Sequence, residues 1–373
     1  NALGYRMVFV WENLGPMHED RLAAVARRFP GDVAAIEFWP ESETYRWKPG
    51  GDAVTTITLL PAVRRRTGIG LGWRLFTACR RLGARDVYLC HYQRAAVMVA
   101  ALLLRLSGRR VMCMIDSKFD DHPRAVLREL AKALALLPYC AALAGSARTC
   151  AYLRFLGFAR RPVMLGYDTL SVARIRAEAG APPAPDGTAH AARDFLVVAR
   201  LIAKKNIGLA IEAYATFRAG GGTARRLRIL GAGDEEAMLR EQARMLGLGD
   251  DVVFEGLVDS DRVAAALARA LCLILPSVSE QFGLVVIEAM AMGVPPLVSA
   301  NAGAVDQMID NGVNGWIIDP ASPRALTAAM ARLDADADAW AAMACAARDD
   351  SARGDAAIFA QAVAALSFPR GTG

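Results

Sequence analysis

LCLILPSVSEQFGLVVIEAMAMG, residues 271–293 of the chain, is an apolar run followed by a polar loop and a second apolar stretch. The run Leu271–Leu275 has the unbroken apolar character of a strand that is buried on both faces of a sheet. Gly283 allows a tight turn, and a helix is predicted from about Leu284. A buried strand that leads into a helix is the repeating unit of a parallel sheet, so this stretch predicts an α/β fold.

The same alternation of short apolar runs and amphipathic stretches extends over the whole chain. The predicted strands are Met7–Val10, Val33–Phe38, Thr55–Leu60, Val87–Cys90, Val111–Ile115, Phe195–Ala199, Leu227–Leu230, Val252–Glu255, Cys272–Leu275 and Pro296–Ser299. Helices are predicted between them, such as His18–Arg28 and Arg94–Leu106. This βαβ succession predicts parallel sheets that are covered by helices on both faces.

A segment rich in proline and glycine, residues 180–194, interrupts the succession and has the composition of a linker. We therefore expect two Rossmann-like, doubly wound parallel-sheet domains, at residues 1–175 and 190–350. A last helix is predicted at about 352–369, and by analogy with tandem architectures it returns to the first domain. Ligands of open parallel sheets bind at the carboxyl ends of the strands, so the expected site is a cleft between the two domains.

The loop after Leu275 contains residue types that suit a phosphorylated ligand. Gly283 lets the backbone approach closely, and free amide groups at the start of the next helix favour a diphosphate. Glu288 lies one turn further on, where a carboxylate can reach ribose hydroxyls, and Glu280 would face the group joined to the diphosphate. The alternative is that both glutamates are surface residues at a helix terminus.

Composition excludes several classes of protein. The 373 residues are 54% hydrophobic and 22% charged, which is ordinary for a globular protein and far from disorder. The longest apolar run, Ala95–Leu104, has about half the length that a membrane-spanning helix needs. The seven cysteines include no CxxC pair, which favours a reducing, cytoplasmic compartment and argues against a zinc site.

The net charge of +6 is unevenly distributed along the chain. Residues 1–172 contain 25 Lys and Arg against 14 Asp and Glu, whereas residues 173–373 contain 19 against 24. In the segment 64–85, arginines alternate with Trp73, Phe76 and leucines. This pattern suits a helix on the surface of an anionic membrane and equally a packed helix with a charged outer face. Nucleic acid is not expected as a partner, since no binding motif is present.

Several motifs stand in a fixed order over the second half of the chain, with similarity extending back into the first. They are Gly145-Ser146, Tyr152-Leu153, Leu156-Gly157-Phe158, Gly166-Tyr167-Asp168, Val197–Asn206, Leu230–Asp234, Val253–Val258, the pair Glu280 and Glu288, and Asn311–Gly315. Together they resemble the retaining GT-B glycosyltransferases of family four, whose signature is E-x7-E. The resemblance implies a GT-B fold and the transfer of a sugar from a nucleoside diphosphate.

The resemblance also implies a role for each matching residue. Arg200 and Lys205 would hold the diphosphate and stabilise the negative charge that grows on the leaving group; a solvated basic loop is the alternative. Glu280 would contact the hydroxyls of the donor sugar, and Glu288 the ribose. The remaining donor contacts would be the backbone of Phe282, Gly283, Leu284 and Val285 at the phosphates, and Val258 at the base.

The first domain contributes three candidates. Gly15 lies after the first strand, where relatives have a glycine-rich loop beside the donor phosphates, although a second glycine is missing here. His91 ends a strand at a position where relatives have a His, but a lone His is more often structural. Asp116 stands where many relatives have a His near the donor sugar. It would bind hydroxyls of the sugar or the acceptor, or indicate a different donor.

Other features depart from the family pattern or suggest a metal. Ala199 replaces the usual glycine, and Gln307 stands where an acidic residue is common. The aspartates at 259–261 and 334–338 resemble D-x-D motifs, but the first group is expected to cap a helix and the second to be solvated. Asp120-Asp121-His122-Pro123 is expected to start a helix. Because GT-B relatives generally need no divalent ion, no metal or other cofactor is predicted.

The sequence thus predicts a retaining glycosyltransferase that transfers a sugar from a nucleoside-diphosphate sugar to a glycan, lipid-linked or small-molecule acceptor. The basic first half favours an anionic or lipid-linked acceptor, as in the synthesis of cell-envelope polysaccharide or glycolipid. It also favours a cytoplasmic protein that is peripheral on the inner face of the membrane. Two alternatives stay open: another GT-B activity, such as sugar-nucleotide epimerisation or phosphorolysis, and a catalytically silent sugar-nucleotide-binding protein.

Overall fold

The computed structural model describes residues 4–40, 53–62, 68–121 and 124–368. These residues form two compact units. The first contains the chain up to Ser171 and again from Ala356, and the second extends from Val172 to Asp355. The two units are described separately below.

A sheet of seven parallel strands forms the centre of the first unit. Its elements, in chain order, are β1 (Met7–Trp11), α1 (Pro16–Arg28), β2 (Val33–Glu37), β3 (Thr55–Thr58), α2 (Ile69–Leu82), β4 (Asp86–Leu89), α3 (Ala95–Leu106), β5 (Arg110–Ile115), α4 (Val126–Ala135), β6 (Ala141–Ala144), α5 (Ala147–Leu153) and β7 (Val163–Leu165). The strand order is β3-β2-β1-β4-β5-β6-β7. Strands β1 and β4 are buried along their whole length, because apolar side chains of the flanking helices pack on both faces of the sheet.

The second unit has a parallel sheet of six strands in the order β10-β9-β8-β11-β12-β13. Its elements are α6 (Val172–Ala179), β8 (Asp194–Val198), α7 (Ile207–Ala219), β9 (Leu227–Leu230), α8 (Glu236–Met245), β10 (Val252–Gly256), α9 (Ser260–Leu267), β11 (Ala270–Leu275), α10 (Val285–Ala291), β12 (Pro296–Ser299), α11 (Val305–Met308), β13 (Trp316–Ile318), α12 (Pro323–Ala335) and α13 (Ala337–Asp350). The last helix, α14 (Ala356–Ser367), belongs to the first unit, where it packs against α1.

The segment 180–194 packs closely on the second unit. Ala184 is fully buried there and donates its N–H to the carbonyl of Met292 at 2.8 Å. Arg193, also fully buried, lies over the ring of Trp340 and donates to the carbonyl oxygens of Thr188, Ala268, Ala270 and Asp186. The division between the units falls ahead of this segment, between Ser171 and Val172.

All ten predicted strands are present, and their ends differ from the prediction by at most two residues. Three further strands, β6, β7 and β13, are absent from the prediction. Strand β6 is three alanines and a leucine, which lack the β-branched side chains that mark strands, and the other two are only three residues long. Tertiary pairing with a neighbouring strand, rather than local preference, makes these segments extended.

The expectation that a helix starts at Asp120-Asp121-His122-Pro123 is wrong. Residues Phe119–Asp121 form a single 3₁₀ turn, and helix α4 begins only at Val126. The carboxylate of Asp121 accepts hydrogen bonds from the backbone N–H and from Nζ of Lys118, at 2.7 and 2.6 Å, so it closes this turn. His122 and Pro123 lie outside the described residues.

The other two aspartate groups have structural roles that differ partly from those expected. Asp259 precedes helix α9, but its side chain makes no capping hydrogen bond. Asp334 is not solvated, because it is half-buried and lies 2.5 Å from Nε of Arg225 and 2.6 Å from Oγ1 of Thr223. Asp336 caps helix α13 by accepting the N–H groups of Asp338 and Ala339.

Helix α2 contains residues 69–82 of the basic segment 64–85. Residues 64–67 of this segment lie outside the described residues. Leu71, Leu75 and Phe76 on this helix are buried in the core of the first unit, and α2 packs against α3. Trp73 remains exposed. The apolar face of α2 is therefore a packing face, which is the second of the two interpretations of this segment.

Candidate functional site

The carboxyl ends of β8 and β11 bring two loops of the second unit together. These strands are hydrogen-bonded parallel neighbours, so the loops that follow them leave the same edge of the sheet. The first loop contains Arg200 and Lys205, and the second contains Glu280. A hydrogen bond of 2.9 Å from the N–H of Val278 to the carbonyl of Lys204 ties the two loops to each other.

Lys205 and Glu280 form an ion pair between these loops. Nζ of the lysine contacts Oε2 of the glutamate, and both side chains are largely buried. The hydroxyl of Ser277 donates to the same carboxylate oxygen at 3.1 Å. Because a buried carboxylate needs charged or polar partners, these two donors hold the side chain of Glu280 in place. The site thus contains one cation and one anion in direct contact.

Asn206 holds the turn from which Lys205 projects. Its backbone is left-handed, with φ of 55°, a conformation that asparagine tolerates better than most residues. Its Nδ2 donates to the carbonyl oxygens of Pro276 at 3.2 Å and Pro320 at 2.9 Å. The turn is therefore fastened to the loop after β11 and to the segment after β13.

The guanidinium group of Arg200 is not fully satisfied by the protein. Its Nε is buried and makes no hydrogen bond within the described part of the chain. Buried N–H groups almost always have an acceptor, so the Nε–H of Arg200 indicates an acceptor on a bound molecule. For a cationic donor the strongest such partner is an anion. Together with Lys205, Arg200 places two cations in one loop.

Two glycines make the close approach of the loops possible. Gly283 has φ of +98°, and a Cβ there would lie 2.8 Å from a methyl carbon of Leu275. Gly231, at the end of β9, has φ of +142°, and a Cβ there would lie 1.9 Å from the carbonyl oxygen of Ala199. The turn after β9 thus packs directly on the loop that contains Arg200, and neither turn can accept a side chain.

Helix α10 begins at Val285, one residue after its predicted start, with Leu284 as its N-cap and no side chain capping it. The amide groups of the first turn of a helix have no acceptor within that helix. Phe282, just ahead of it, is buried, and its carbonyl accepts the N–H of Ala304 at 3.0 Å. Glu288 is half-buried in the first turn.

Val258 lies on the same edge of the sheet but at its far end. It follows β10, the outermost strand, which is three positions from β11 in the strand order. With a spacing of about 4.8 Å between strands, this places the two strands about 14 Å apart. The candidates of the second unit therefore occupy one continuous edge, with the cations and Glu280 at its centre.

In the first unit, Gly15, His91 and Asp116 follow the carboxyl ends of β1, β4 and β5, which are neighbours in the sheet. Gly15 precedes α1 and donates its N–H to Nδ1 of His18 at 3.0 Å. His91 has a left-handed backbone, with φ of 57°. Asp116 packs against Gly145, where a Cβ would lie 3.3 Å from the Asp116 Cα.

Burial favours the neutral forms of both titratable candidates in this unit. It lowers the pKa of His91 below 6.5, with Glu12 opposing the change and Arg94 adding to it. Burial also raises the pKa of Asp116 above 3.8, and Asp121 adds to this shift. His91 is therefore a neutral imidazole near pH 7, with one nitrogen that can accept a proton or a hydrogen bond.

Several residues that had no role predicted from the sequence complete these groups. Glu12, directly after β1, contacts Nε of Arg94 and lies 3.8 Å from Nδ1 of His91. Asp168 forms a buried ion pair with Arg21, at 3.4 Å. Glu12 lies in the loop at the carboxyl end of its strand, as Gly15 does, and this position is the signal that could have found it. The contact of Arg94 with Glu12 depends on tertiary structure alone.

Neither a metal centre nor a membrane-spanning helix is found in the part of the chain that the structure describes. No three His, Cys, Asp or Glu side chains of these residues are grouped as metal ligands. Among the same residues, no helix has both the length and the apolar character that a bilayer crossing requires.

Residues 185–350 match the family model described as glycosyl transferases group 1. Among curated proteins, the chain is 34% identical over 152 residues to the putative colanic acid biosynthesis glycosyltransferase WcaL of Salmonella typhimurium, which is 38% of this chain and 37% of that protein. It is 33% identical over 150 residues to the amylovoran biosynthesis glycosyltransferase AmsK of Erwinia amylovora, which is 39% of this chain and 36% of that protein. The match thus spans little more than a third of each relative.

Solved structures resemble the chain over nearly its whole length. HepE from Anabaena, in complex with UDP and glucose, has a TM-score of 0.73 at 17% identity and aligns over 97% of this chain and 99% of its own. Sucrose-phosphate synthase from Thermosynechococcus elongatus has a TM-score of 0.70 at 19% identity and aligns over 97% of this chain and 98% of its own. At such low identity the likeness concerns the fold alone. The predicted fold class, GT-B with two Rossmann-like parallel sheets, is confirmed.

Proposed function

We propose that this chain is a retaining glycosyltransferase of family four that transfers a hexosyl group from a nucleoside-diphosphate sugar. The family match covers every site candidate of the second unit, since residues 185–350 include Arg200, Lys205 and Glu280. Relatives that are 33–34% identical over 150–152 residues are named as glycosyltransferases. The solved structure of HepE contains UDP and glucose, which supports a nucleotide sugar as the donor.

One observation carries the proposal more than any other: two cations lie in the loop at the carboxyl end of β8, and the described residues do not satisfy both. Among the described residues, Nε of Arg200 is buried without an acceptor, and Lys205 forms an ion pair with Glu280. A diphosphate supplies acceptors to both groups at once. Charge-assisted hydrogen bonds of this kind are about twice as strong as neutral ones.

Binding of the donor would then change the partners of the ion pair. The ammonium group of Lys205 would bind the diphosphate in place of Glu280. The carboxylate of Glu280 would then accept hydrogen bonds from the sugar hydroxyls. Glu288 would bind the ribose, Val258 would lie against the base, and the backbone of 282–285 would hold the phosphates.

The two cations would also contribute to catalysis. When the bond between sugar and diphosphate breaks, negative charge grows on the leaving oxygen, and Arg200 and Lys205 would stabilise it more than they stabilise the bound donor. A same-face attack that the leaving phosphate assists would retain the configuration of the sugar. In the first unit, Gly15 would adjoin the donor phosphates, and His91 and Asp116 would contact hydroxyls of the sugar or acceptor. We expect no metal to be required.

The proposed acceptor is an anionic or lipid-linked glycan used in cell-envelope polysaccharide or glycolipid synthesis. The relatives named for colanic acid and amylovoran biosynthesis support this class. The excess of basic residues before position 173 suits an acceptor of this charge at a cytoplasmic membrane surface.

The first test is a thermal-shift panel with UDP, GDP, ADP, CDP and dTDP without added metal. A ligand at 100 times its Kd stabilises by about 2.7 kcal/mol, which moves the melting midpoint by several degrees. We expect one nucleotide to give this shift and the double variant Arg200→Ala/Lys205→Ala to lose it. Lys204→Ala is the matched control, because it removes a neighbouring lysine whose side chain is outside the ion pair, and it should keep the shift.

The second test measures transfer. Lys205→Ala should reduce turnover by a factor of about 100 to 1000 without unfolding the protein, as expected when a donor to developing charge is removed. Turnover at the wild-type rate would refute the assignment, and the product anomer, determined by NMR, tests retention. Addition of EDTA should leave the rate unchanged. A product without a new glycosidic bond would indicate epimerisation or phosphorolysis, and nucleotide binding without transfer or donor hydrolysis would indicate a silent protein.

A further inference from the structure

Helix α4 has its polar side turned towards the protein. Glu129 on this helix is buried, at 7% exposure, and its carboxylate accepts a hydrogen bond of 2.5 Å from the hydroxyl of Tyr152. Lys132, three residues further along, lies 3.1 Å from the same carboxylate, and Arg124 lies 3.2 Å from it. The polar groups of the helix are thus used to attach it to the rest of the unit.

The opposite side of α4 is apolar and faces solvent. The exposed side chains are Val126, Leu127, Leu130 and Leu134, with Leu137 just after the helix. We call this surface the outer face of α4. Its first two residues are 85% and 82% exposed, values typical of side chains that no described residue covers. In most helices of globular proteins the leucines face the core. A helix whose leucines face solvent therefore indicates that a partner covers this face.

Two exposed aromatic rings extend the apolar surface beside α4. Phe119 and Phe155 are half or more exposed, and their ring centroids lie 5.6 Å apart. Both rings also contact Tyr152, which is bonded to Glu129. The aromatic pair therefore adjoins the inward side of the helix. Rings at such a border suit the interface between water and lipid.

The neighbouring helices supply positive charge and no exposed carboxylate. The connections from β3 to β4, β4 to β5, β5 to β6 and β6 to β7 all run in one direction along the sheet, so right-handed crossovers place α2, α3, α4 and α5 on one face. The basic residues of these helices and of the turn 154–158 are Arg74, Arg80, Arg81, Arg105, Arg128, Lys132, Arg148 and Arg154. Glu129 is the one acidic residue in the same segments, and it is buried.

Acidic residues near α4 offset only part of this charge, since they are fewer than the basic residues. Asp120, in the turn before the helix, is paired with Lys118 at 3.4 Å and with Arg148 at 3.3 Å. Asp121 is paired with the same lysine. The surface around the outer face of α4 is therefore apolar at its centre and cationic around it.

We propose that the outer face of α4 inserts into the surface of an anionic lipid bilayer and docks the first unit on the membrane. A short amphipathic helix with leucines on one side and basic residues around them is suited to lie in the interfacial plane of a bilayer. A second copy of the same surface is a poorer occupant, since two cationic surfaces repel each other. This inference extends the proposed function, because it brings the enzyme to a lipid-linked acceptor, but it does not depend on catalysis.

The proposal is tested by flotation of the purified full chain with lipid vesicles. We expect it to bind vesicles of phosphatidylcholine with 30% phosphatidylglycerol and to bind pure phosphatidylcholine at least tenfold more weakly. Each basic residue near anionic lipid contributes about a fivefold increase in affinity, a factor that falls as salt rises. Binding should therefore weaken strongly in 0.5 M NaCl.

The variant Leu127→Ser/Leu130→Ser/Leu134→Ser should lose at least tenfold in binding to anionic vesicles. These side chains are exposed, so the melting midpoint should stay within a few degrees of wild type. The control variant Met238→Ser/Met245→Ser removes two equally exposed apolar side chains from α8 in the second unit and should bind as wild type does. Arg128→Glu tests the electrostatic part and should weaken binding to anionic vesicles only.

Three outcomes would overturn the proposal: absence of vesicle binding by the wild type, equal binding by the triple serine variant, and equal binding to neutral and anionic vesicles. Sedimentation velocity without lipid identifies a protein partner instead, since a dimer that the serine variant converts to monomer would make this face a contact between copies. The nucleotide thermal shift of the same variant should be unchanged. A failure of docking is thus distinguishable from a failure of the proposed transferase activity.

Discussion

At the scale of single residues, the cluster around Glu129 shows how charge is stabilised where leucines are exposed. Burial alone would raise the pKa of this carboxyl, but hydrogen bonds from Tyr152, Lys132 and Arg124 outweigh it and hold the pKa below 4.5. A carboxyl whose pKa is lowered on folding stabilises the folded state above its unfolded pKa. That stabilisation is lost as the pH falls through the lower pKa of the folded state.

We predict that Glu129→Gln destabilises the first unit by about 1–3 kcal/mol at pH 7, because buried donors lose a charged acceptor. The difference between wild type and variant should shrink once the pH falls below 4.5, since the wild-type carboxyl then becomes protonated as well. Urea unfolding followed at pH 7 and at several values below 4.5 measures both effects.

Glu236→Gln is the control for this prediction. Glu236 is half-exposed on α8 and pairs with Arg240 at 2.8 Å, so its loss should cost no more than about 0.5 kcal/mol. Equal losses of stability in the two variants, or a loss in Glu129→Gln that does not depend on pH, would contradict the account of the cluster.

At the scale of elements, the loops at the carboxyl ends of β8, β9 and β11 position the site as a group. The N–H of Val278 and the side chain of Asn206 connect the loops after β8 and β11. Gly231 allows the turn after β9 to contact the backbone of Ala199. The loop that contains Arg200 therefore depends on the turn after β9 as well as on the loop after β11.

We predict that Gly231→Ala destabilises the second unit by about 3 kcal/mol, because its backbone is left-handed and its Cβ would overlap the carbonyl of Ala199. The displaced loop should also weaken the thermal shift with nucleotide. Thermal unfolding with and without the nucleotide measures both quantities.

The matched control is Gly247→Ala, at a glycine that also has a positive φ, +69°, but open space around the position of a Cβ. It should cost about 1 kcal/mol, from the backbone conformation alone. If both variants lost equal stability, the contact with Ala199 would have no energetic role.

At the scale of the whole molecule, the chain crosses between the units and its end returns to the first. Phe359 on α14 is fully buried, and its ring lies 5.7 Å from that of Phe9 on β1. The hydroxyl of Tyr88 on β4 lies 2.7 Å from Oγ of Ser367. The residues after the second unit are therefore part of the core of the first.

We predict that Phe359→Ala destabilises the first unit by about 3–5 kcal/mol through the cavity it leaves. Hydrogen exchange should become faster in β1 and β4 and stay unchanged in β8 and β11. Phe217→Ala, which removes a buried ring from the core of the second unit, should give the opposite pattern. Faster exchange in both units with either variant would show that they unfold as one.

Much of the fold could be predicted from the sequence, and the candidate site could be proposed from it, because the signals used for both are local. Buried parallel strands such as 271–275 are unbroken apolar runs, and Arg200, Lys205, Glu280 and Glu288 stand at fixed distances in short motifs. The alanine-rich strand β6 could not be predicted in this way, since only its pairing with β5 makes it extended. The prediction that a helix starts at residues 120–123 is wrong, because the carboxylate of Asp121 accepts a hydrogen bond from Lys118 in a short turn.

The sequence by itself determined the two parallel sheets, the order of the loops and the identity of the charged groups at the strand ends. The tertiary structure alone decided which of these groups pair: Lys205 pairs with Glu280 and Arg94 with Glu12, whereas Nε of Arg200 has no acceptor among the described residues. It also decided that α4 turns its leucines outward. The periodicity of the sequence indicates that the helix has an apolar and a polar face. Which of the two turns inward depends on partners such as Tyr152, which is distant from the helix in the sequence.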